Sequence, residues 1–206
     1  MVRKADRPRH IVETTLKLAA EGRWPYIGLR DIAAASGVSL AELHELYPSK
    51  TAILRAWADM IDAEVLASAT ALDPEDSPRD RLFDVLMRRF DAMQDNRTAV
   101  AAILQATCRD PLAGLCMAPG LMRSMRWMLE AADIRTGGPK GGMITRGLVG
   151  VWLATLRVWL KDDSADMAAT MAALDRNLIR AERLMSLLPA GRKRPTPEAE
   201  PDTVAA

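Results

Sequence analysis

Residues 29–50 are the part of this 206-residue sequence that most narrows the choice of fold, and they read LRDIAAASGVSLAELHELYPSK. Gly37 ends a first short helix, because glycine adopts the left-handed turn conformation without a steric penalty. Ser39 and Glu42 have the Ser-x-x-Glu spacing of a capping box, in which each side chain satisfies an unpaired backbone N–H at a helix start. Pro48 ends the second helix. The segment therefore predicts two short helices joined by a tight turn.

Helical periodicity continues along the rest of the chain. Apolar residues recur at three-and-four spacing from Ile11 to Ala19, Ser49 can cap a connecting helix, and Ser77 with Pro78 opens a later one. The sequence is rich in Ala, Leu and Met, and its aromatic share is only 4%, which favours helices over sheet. No segment alternates convincingly with a period of two. We expect an all-α protein of about nine helices, with Pro119 kinking or interrupting one of them.

Two C-terminal helices differ from the others in their apolar pattern. Residues 142–160 are apolar on nearly every side, which predicts a central helix buried on several sides. Residues 164–189 place apolar side chains at alternating steps of four and three, the seam of a helix that packs along another helix. Residues 189–206 are rich in proline and charge and are expected to be disordered. We expect the seam to form a dimer interface through Met171, Leu174, Leu178 and Met185, and to run from Met167 to Leu188.

Composition excludes several classes of function. The formal net charge is +1, so the chain as a whole is not attracted to nucleic acid or to an anionic membrane. Cys108 and Cys116 form no CxxC pattern, and His10 and His44 have no Cys or carboxylate cluster nearby. We therefore expect no metal, no cofactor and no enzyme activity. The sequence has neither a signal peptide nor the window of about 18 apolar residues that a membrane span needs, which favours the cytoplasm.

The stretch LRDIAAASGVS, followed by LYPSK, resembles the pattern of the TetR family of transcriptional regulators. The resemblance implies a helix-turn-helix head over residues 1–50 and a ligand-binding and dimerisation domain over residues 51–188, in which residues 51–69 form the connecting helix. It also implies a homodimer that binds a double-stranded DNA operator and is modulated by a small apolar ligand. The DNA contacts would come from Arg30, Ser39, Leu40, Ala41, His44, Tyr47 and Lys50.

The third helix departs from the usual chemistry of that family. Where the family often has Lys-Gly-Thr-Leu-Tyr, residues 40–44 read Leu-Ala-Glu-Leu-His. Glu42 could accept a hydrogen bond from cytosine N4, but its place in a capping box already explains it. Glu45 either repels phosphate in a conventional docking or lies on a solvated face that does not meet DNA.

The predicted head carries little excess positive charge. Residues 1–50 hold eight Lys or Arg against six Asp or Glu, so their net charge is +2. Neutralisation of phosphates supplies most of the affinity of a protein for DNA, which makes weak, salt-sensitive binding the expectation. Half of the cations precede the first helix, in an arm expected to be flexible and able to enter a minor groove. They are Arg3, Lys4, Arg7 and Arg9.

An apolar cavity in the C-terminal half is a second candidate site. Methionine adapts to the shape of a ligand and tryptophan offers a flat contact area, although ordinary core packing explains the same residues. The expected lining residues are Met93, Met122, Trp127, Met128, Trp152 and Leu156.

A second resemblance leaves another function open. Residues 157–182, RVWLKDDSADMAATMAALDRNLIRAE, resemble the ubiquinone-biosynthesis accessory proteins, which are lipid carriers with a TetR-like fold. On this alternative the interior holds an isoprenoid or another lipid, and the head does not read DNA. The final helix lacks the polar face dominated by Lys and Arg that binding to a membrane surface needs. A membrane is therefore not expected as a partner unless the lipid-carrier alternative holds.

Overall fold

The computed structural model describes residues 3–68 and 75–186, and these residues contain helices and no strand. The all-α prediction is confirmed. Leu188, the tail over residues 189–206 and the expected end of the connecting helix at Ala69 lie outside the described residues. The helices are α1 (Arg7–Leu18), α2 (Leu29–Ser36), α3 (Leu40–Leu46), α4 (Lys50–Ala67), α5 (Pro78–Met93), α6 (Arg97–Arg109), α7 (Pro111–Ala131), α8 (Gly138–Trp159) and α9 (Ala168–Ser186).

The helix boundaries follow the local signals in the sequence. Gly37 has φ 64° and ψ 31°, the left-handed conformation that ends α2. The Ser39 hydroxyl accepts a hydrogen bond from the Glu42 N–H at 3.1 Å, and the Glu42 carboxylate accepts one from the Ser39 N–H at 3.0 Å. The Ser49 hydroxyl caps α4 by accepting from the Ala52 N–H at 3.1 Å. The predicted caps of these helices are confirmed.

The first helix begins earlier than expected, and α7 is not interrupted at Pro119. The first helix begins at Arg7, after a 3-10 turn over Lys4–Asp6, so Arg7 and Arg9 belong to α1 and not to a flexible arm. The early start is possible because Pro8 lies in the first turn of α1, where its missing N–H costs nothing. Helix α7 runs through Pro119 without interruption, and Pro119 lies on its exposed side.

The described residues form two apolar cores. The head core joins α1, α2, α3 and the first half of α4, and it also takes in Ala99 and Ile103 from α6. The body core joins the second half of α4 with α5, α7, α8 and α9. Trp57, in the middle of α4, packs against both cores. Helix α4 is therefore shared between two parts of the described chain, which we call the head (α1 to α3 and the start of α4) and the body (the second half of α4 with α5 and α7 to α9).

Helix α8 is buried along one broad side only. Trp152 and Trp159 are buried in the body core, and the Trp152 ring stacks on Phe90 with ring centroids 4.4 Å apart. The opposite side of α8 exposes Gly147 and Gly150. Burial on several sides was expected because α8 carries apolar residues or glycine on nearly every side. The glycines, however, lie on its open side.

Helix α9 packs its apolar seam against its own chain. Leu174 is fully buried and Leu178 is 5% exposed, both within the body core. Both leucines are therefore covered by the core of their own chain, which leaves them almost no surface for a second chain. Met171 and Met185 are only partly buried, so they stay available to a partner.

The body core predicts a clear contrast between two leucines. Leu86 is fully buried on α5, whereas Leu112 on α7 is 69% exposed. We expect Leu86→Ala to lower the free energy of unfolding by about 2–5 kcal/mol, because it removes buried methyl groups and leaves a cavity. Leu112→Ala should change it by less than about 0.5 kcal/mol. Urea unfolding followed by circular dichroism measures both, and equal effects would contradict the core described above.

Candidate nucleic-acid interface

Helix α3 presents a short, nearly uncharged face to solvent. Leu40 is 47% exposed, and Ala41, His44 and Glu45 are also exposed, whereas Leu43 is fully buried in the head core. The capping box at Ser39 fixes where this helix begins, and the burial of Leu43 fixes which side faces outward. The exposed face therefore contains the predicted contact residues Leu40, Ala41 and His44 together.

Glu42 is engaged inside the protein. Its carboxylate accepts hydrogen bonds from the N–H and the hydroxyl of Ser39, and it also forms an ion pair with Arg7 of α1. The hydrogen bond from the Ser39 backbone, then the one from its side chain, and the charge of Arg7 hold the pKa of Glu42 below its ordinary value. This carboxylate therefore has two partners of its own, and its negative charge is offset by Arg7.

Glu45 and Arg30 are the opposing charges on the surface around α3. Neither forms a hydrogen bond or an ion pair with any residue that the structure describes. Arg30 is exposed in the first turn of α2, which begins after Gly28. The Gly28 N–H donates to the Asp31 carboxylate at 2.8 Å, so the start of α2 is capped by Asp31.

Tyr47 is buried in the head and Lys50 is half-buried at its edge, whereas the other five predicted DNA-contact residues are exposed. The Tyr47 hydroxyl donates to the Pro8 carbonyl at 3.3 Å, and burial raises the pKa of Tyr47. The Lys50 ammonium donates to the carbonyls of Trp24 and Ile27, each at 2.8 Å, and lies 4.0 Å from the centroid of the Trp24 ring. Burial lowers the pKa of Lys50. Its ammonium therefore ties the start of α4 to the segment before α2.

The predicted ligand-pocket residues divide into two groups. Met93, Met128, Trp152 and Leu156 are buried together in the body core. Met122 is only partly buried, and Trp127 is 51% exposed, so the structure does not bring Trp127 into the interior with the others. Trp127 points away from this interior because it is the neighbour of the buried Met128 on α7, and neighbouring residues on a helix point about 100° apart.

A buried polar cluster lies among the four interior residues. Asp62 of α4 and Arg89 of α5 form an ion pair that is almost completely shielded from solvent. The Ser124 hydroxyl of α7 donates to Asp62 at 2.8 Å. The Arg89 guanidinium lies 5.1 Å from the centroid of the Trp152 ring, and its Nη1 is 3.9 Å from the Met128 sulfur. Helices α4, α5, α7 and α8 all meet at this cluster.

The sequence contains a signal for this cluster, although neither charged residue was among the predicted site residues. Arg89 follows Leu82, Val85 and Leu86 at helical spacing and precedes Met93 by four, so it occupies the apolar side of α5. Asp62 lies next to Ile61 and three residues before Val65 on the buried side of α4. A charged residue at a position that the periodicity assigns to the core is a candidate for a buried pair.

A cleft of about 460 Å³ lies between the head and the body, away from the expected interior pocket. Head residues form one wall of this cleft, and the corner between α6 and α7 forms the other. Asp110 shapes that corner by capping α7, because its carboxylate accepts from the N–H groups of Leu112 and Ala113. The lining includes Tyr26, Lys50, Leu54, Thr107, Arg109 and Met117.

No three His, Cys, Asp or Glu side chains among residues 3–68 and 75–186 are grouped so that they could hold a metal ion. Within the same residues, no helix is both long enough and apolar enough to cross a membrane. Cys108 and Cys116 are both unbonded thiols on the surface.

Solved structures with the same architecture are TetR-type regulators. A TetR transcriptional regulator from Nitrosomonas europaea is 25% identical, with 85% of this chain and 98% of that chain covered and a TM-score of 0.67. A TetR transcriptional regulator from Rhodococcus sp. RHA1 is 23% identical, with coverages of 90% and 98% and a TM-score of 0.62. A TetR-family regulator from Streptomyces coelicolor is 14% identical, with coverages of 90% and 84% and a TM-score of 0.57.

No family model and no curated protein matches the sequence. The structural matches nevertheless extend over most of the chain and over most of each matched protein. The chain therefore has the fold of the TetR family of transcriptional regulators, as the residues around the predicted turn indicated.

The position of Lys50 predicts an effect on stability. Lys50→Met removes the donor for the Trp24 and Ile27 carbonyls, so we expect the free energy of unfolding to fall by about 1–2 kcal/mol. Lys17→Met, at an exposed position of α1, is the matched control and should leave it within about 0.5 kcal/mol of the parent. Chemical unfolding measures both variants. An unchanged stability of the Lys50 variant would show that the two hydrogen bonds do not hold α4 to the head.

Proposed function

We propose that this protein is a homodimeric transcriptional regulator whose head binds a double-stranded DNA operator and whose body binds a small apolar ligand. The observation that carries the proposal is the exposed face of α3, held by its capping box next to an exposed Arg30, within a TetR-type fold. On this proposal residues 1–50 form the head, and residues 51–188 bind the ligand and form the dimer. We also propose a cytoplasmic location and no catalytic activity.

The chemistry of α3 suits apolar contacts with bases. Leu40 and Ala41 can touch the methyl group of thymine in the major groove, and His44 can donate or accept a hydrogen bond. Arg30 can contact a phosphate, and phosphate contacts set the register of the head on DNA. The Ser39 hydroxyl donates its proton to Glu42, so we propose that it holds the start of α3 and does not contact phosphate. The partnership of Glu42 with Arg7 leaves Glu45 as the carboxylate that opposes docking on this face. Binding of moderate affinity follows, with a salt dependence that is set by its small number of phosphate contacts.

Tyr47 and Lys50 act on DNA binding through the shape of the head. Both side chains donate to backbone carbonyls inside it, so each fixes α3 or α4 relative to α1 and the segment before α2. We propose that these two residues position the DNA-contacting surface, in place of the direct contacts that the family resemblance implied.

The open side of α8 is the surface we propose for dimerisation. Met143, Gly147 and Gly150 are exposed there at helical spacing, and a Cβ atom added at either glycine would meet no atom within 4 Å. Such a surface lets a second helix approach closely, and Met171 and Met185 of α9 can add apolar area. Two copies would then pack α8 and α9 as a four-helix bundle with twofold symmetry.

The ligand would act through α4, the helix that both cores share. A ligand that binds more tightly to the dimer with one separation of the two heads shifts the population towards that separation. The size of the shift is set by the difference between the binding free energies of the ligand for the two separations. The ligand-binding region we propose is the part of the body core that contains Met93, Met128, Trp152 and Leu156. The lipid carrier of the alternative would use the same region without a DNA-binding head.

Operator binding is the first test. We expect one duplex from around the protein's own gene to bind about a thousandfold more tightly than a scrambled duplex, measured by fluorescence anisotropy over a salt series. Arg30→Ala should weaken binding to both duplexes and make the plot of log K against log salt shallower by about 2, because each dimer loses two phosphate contacts.

The matched control is Arg135→Ala, an exposed arginine between α7 and α8 that should leave binding unchanged. Equal and weak binding to every duplex, vanishing near physiological salt, would contradict the regulator and favour the lipid-binding alternative. Lipid extracted from the purified protein would then be identified by mass spectrometry.

The dimer surface makes a separate prediction. Wild-type protein should sediment as a dimer at micromolar concentration, and Gly150→Glu should shift it to monomer, because a charge would be buried between the two α8 helices. Gly120→Glu, at an open position of α7, is the matched control and should remain a dimer. Sedimentation velocity measures both variants. A dimeric Gly150 variant would place the interface elsewhere.

A further inference from the structure

We propose that the ligand is an apolar carboxylic acid whose carboxylate binds Arg89, and that Asp62 alone balances the charge of Arg89 when the ligand is absent. The inference rests on the proposed function, since it identifies the class of the ligand and the way in which it acts on α4. It is carried by the buried cluster of Asp62, Arg89, Ser124, Met128 and Trp152.

The Arg89 guanidinium is a buried cation with unused hydrogen-bonding capacity. Only 5% of its side chain is exposed, and its Nε–H has no hydrogen-bond partner within the described part of the chain. A buried donor without a partner costs free energy, so it is rare in a core that serves stability alone. An anion that takes both Nε and Nη of a guanidinium forms the bidentate geometry that carboxylates prefer.

Stability does not account for the ion pair. Burying two charges costs desolvation energy that their attraction often fails to recover, and well-packed apolar residues at the same positions are often as stable or more so. The core around the pair is already apolar, with Phe90, Met125 and Leu129 fully buried. A charged pair retained at such a place is therefore better explained by a ligand that needs the cation.

The surroundings of Arg89 suit the apolar part of such an acid. The Trp152 face lies beside the guanidinium, and the Met128 sulfur touches its Nη1. Met93 and Met125 lie in the same core, and unbranched methionine side chains change shape at little cost. The buried methionines can therefore make room for an acyl chain or a flat ring without moving the helix backbones far.

Competition for Arg89 links the ligand to the head. A ligand carboxylate at Nε brings a second negative charge to a guanidinium that Asp62 already binds at Nη1, and two buried carboxylates beside one cation are unfavourable. Moving Asp62 out of the core relieves this cost, and Asp62 is part of α4. Twelve residues earlier, about 18 Å along the helix, Lys50 fastens the same helix to the head. The displaced aspartate therefore shifts the helix that sets the position of the head.

The experiment compares acids with neutral molecules of the same shape, using the full chain and isothermal titration calorimetry. The probes are decanoate against decanol and naphthoate against naphthalenemethanol. We expect at least one acid to bind the wild-type protein about tenfold or more tightly than its neutral counterpart, the effect of a hydrogen bond to a charged group. If neither acid binds in preference to its counterpart, the proposal is overturned.

Two variants test the roles of the two charged residues. Asp62→Asn should increase the preference for the acid by a further factor of about ten, because the competing carboxylate is gone. The double variant Asp62→Leu with Arg89→Leu should lose the preference while still binding the neutral probe, and its thermal unfolding shows whether it is folded. A merely structural ion pair predicts no gain of acid binding in Asp62→Asn, so that outcome would also overturn the proposal.

Release of a bound operator separates this inference from the proposed function. If the acid lowers the anisotropy of a bound duplex and the neutral counterpart does not, the regulator function and the assignment of Arg89 both stand. If both molecules release the duplex equally well, the regulator stands and the assignment of Arg89 fails. If no duplex is bound specifically but the acid preference is present, the ligand class stands and the DNA-binding function fails.

Discussion

The packing of α4 into two cores is the constraint on which the rest of the structure depends. Ile53 and Leu54 lie in the head core, Ile61 and Val65 lie in the body core, and Trp57 touches both. The polar contacts follow the same division, because Lys50 binds head carbonyls and Asp62 binds Arg89 in the body. A rigid helix anchored at both ends transmits a displacement from one end to the other. The head therefore cannot change its position independently of the body core.

The charge on α3 is best understood from its neighbours. An acidic residue three positions after Ser39 would oppose DNA if it projected freely, but here it completes the capping box and pairs with Arg7, 35 residues earlier. The same pair removes Arg7 from the cations that could reach phosphate. The charges of Glu42 and Arg7 therefore neutralise each other in the ion pair that holds α3 against α1. What remains for DNA is a small apolar face with Arg30 beside it.

The sequence predicted the features that depend on near neighbours and missed those that depend on distant ones. The caps at Ser39 and Ser49 and the turn at Gly37 involve contacts three or four residues apart, so residue type and spacing were sufficient. The heptad-like seam of α9 identified a packed face but not its partner, because the same pattern suits α8 of one chain and α9 of another. The pairing of Asp62 with Arg89 spans 27 residues, and only the packing of α4 against α5 brings them together.

Helix α6 adds a second tie between the head and the body. Ala99 and Ile103 lie in the head core although α6 continues directly into the corner with α7. A displacement of the head must therefore either carry α6 with it or expose these two side chains to water, which costs about 25 cal/mol for each Å² uncovered. Moving α6 changes the corner at Asp110, which forms one wall of the cleft between head and body. The width of that cleft and the position of the head are thus two consequences of the same packing.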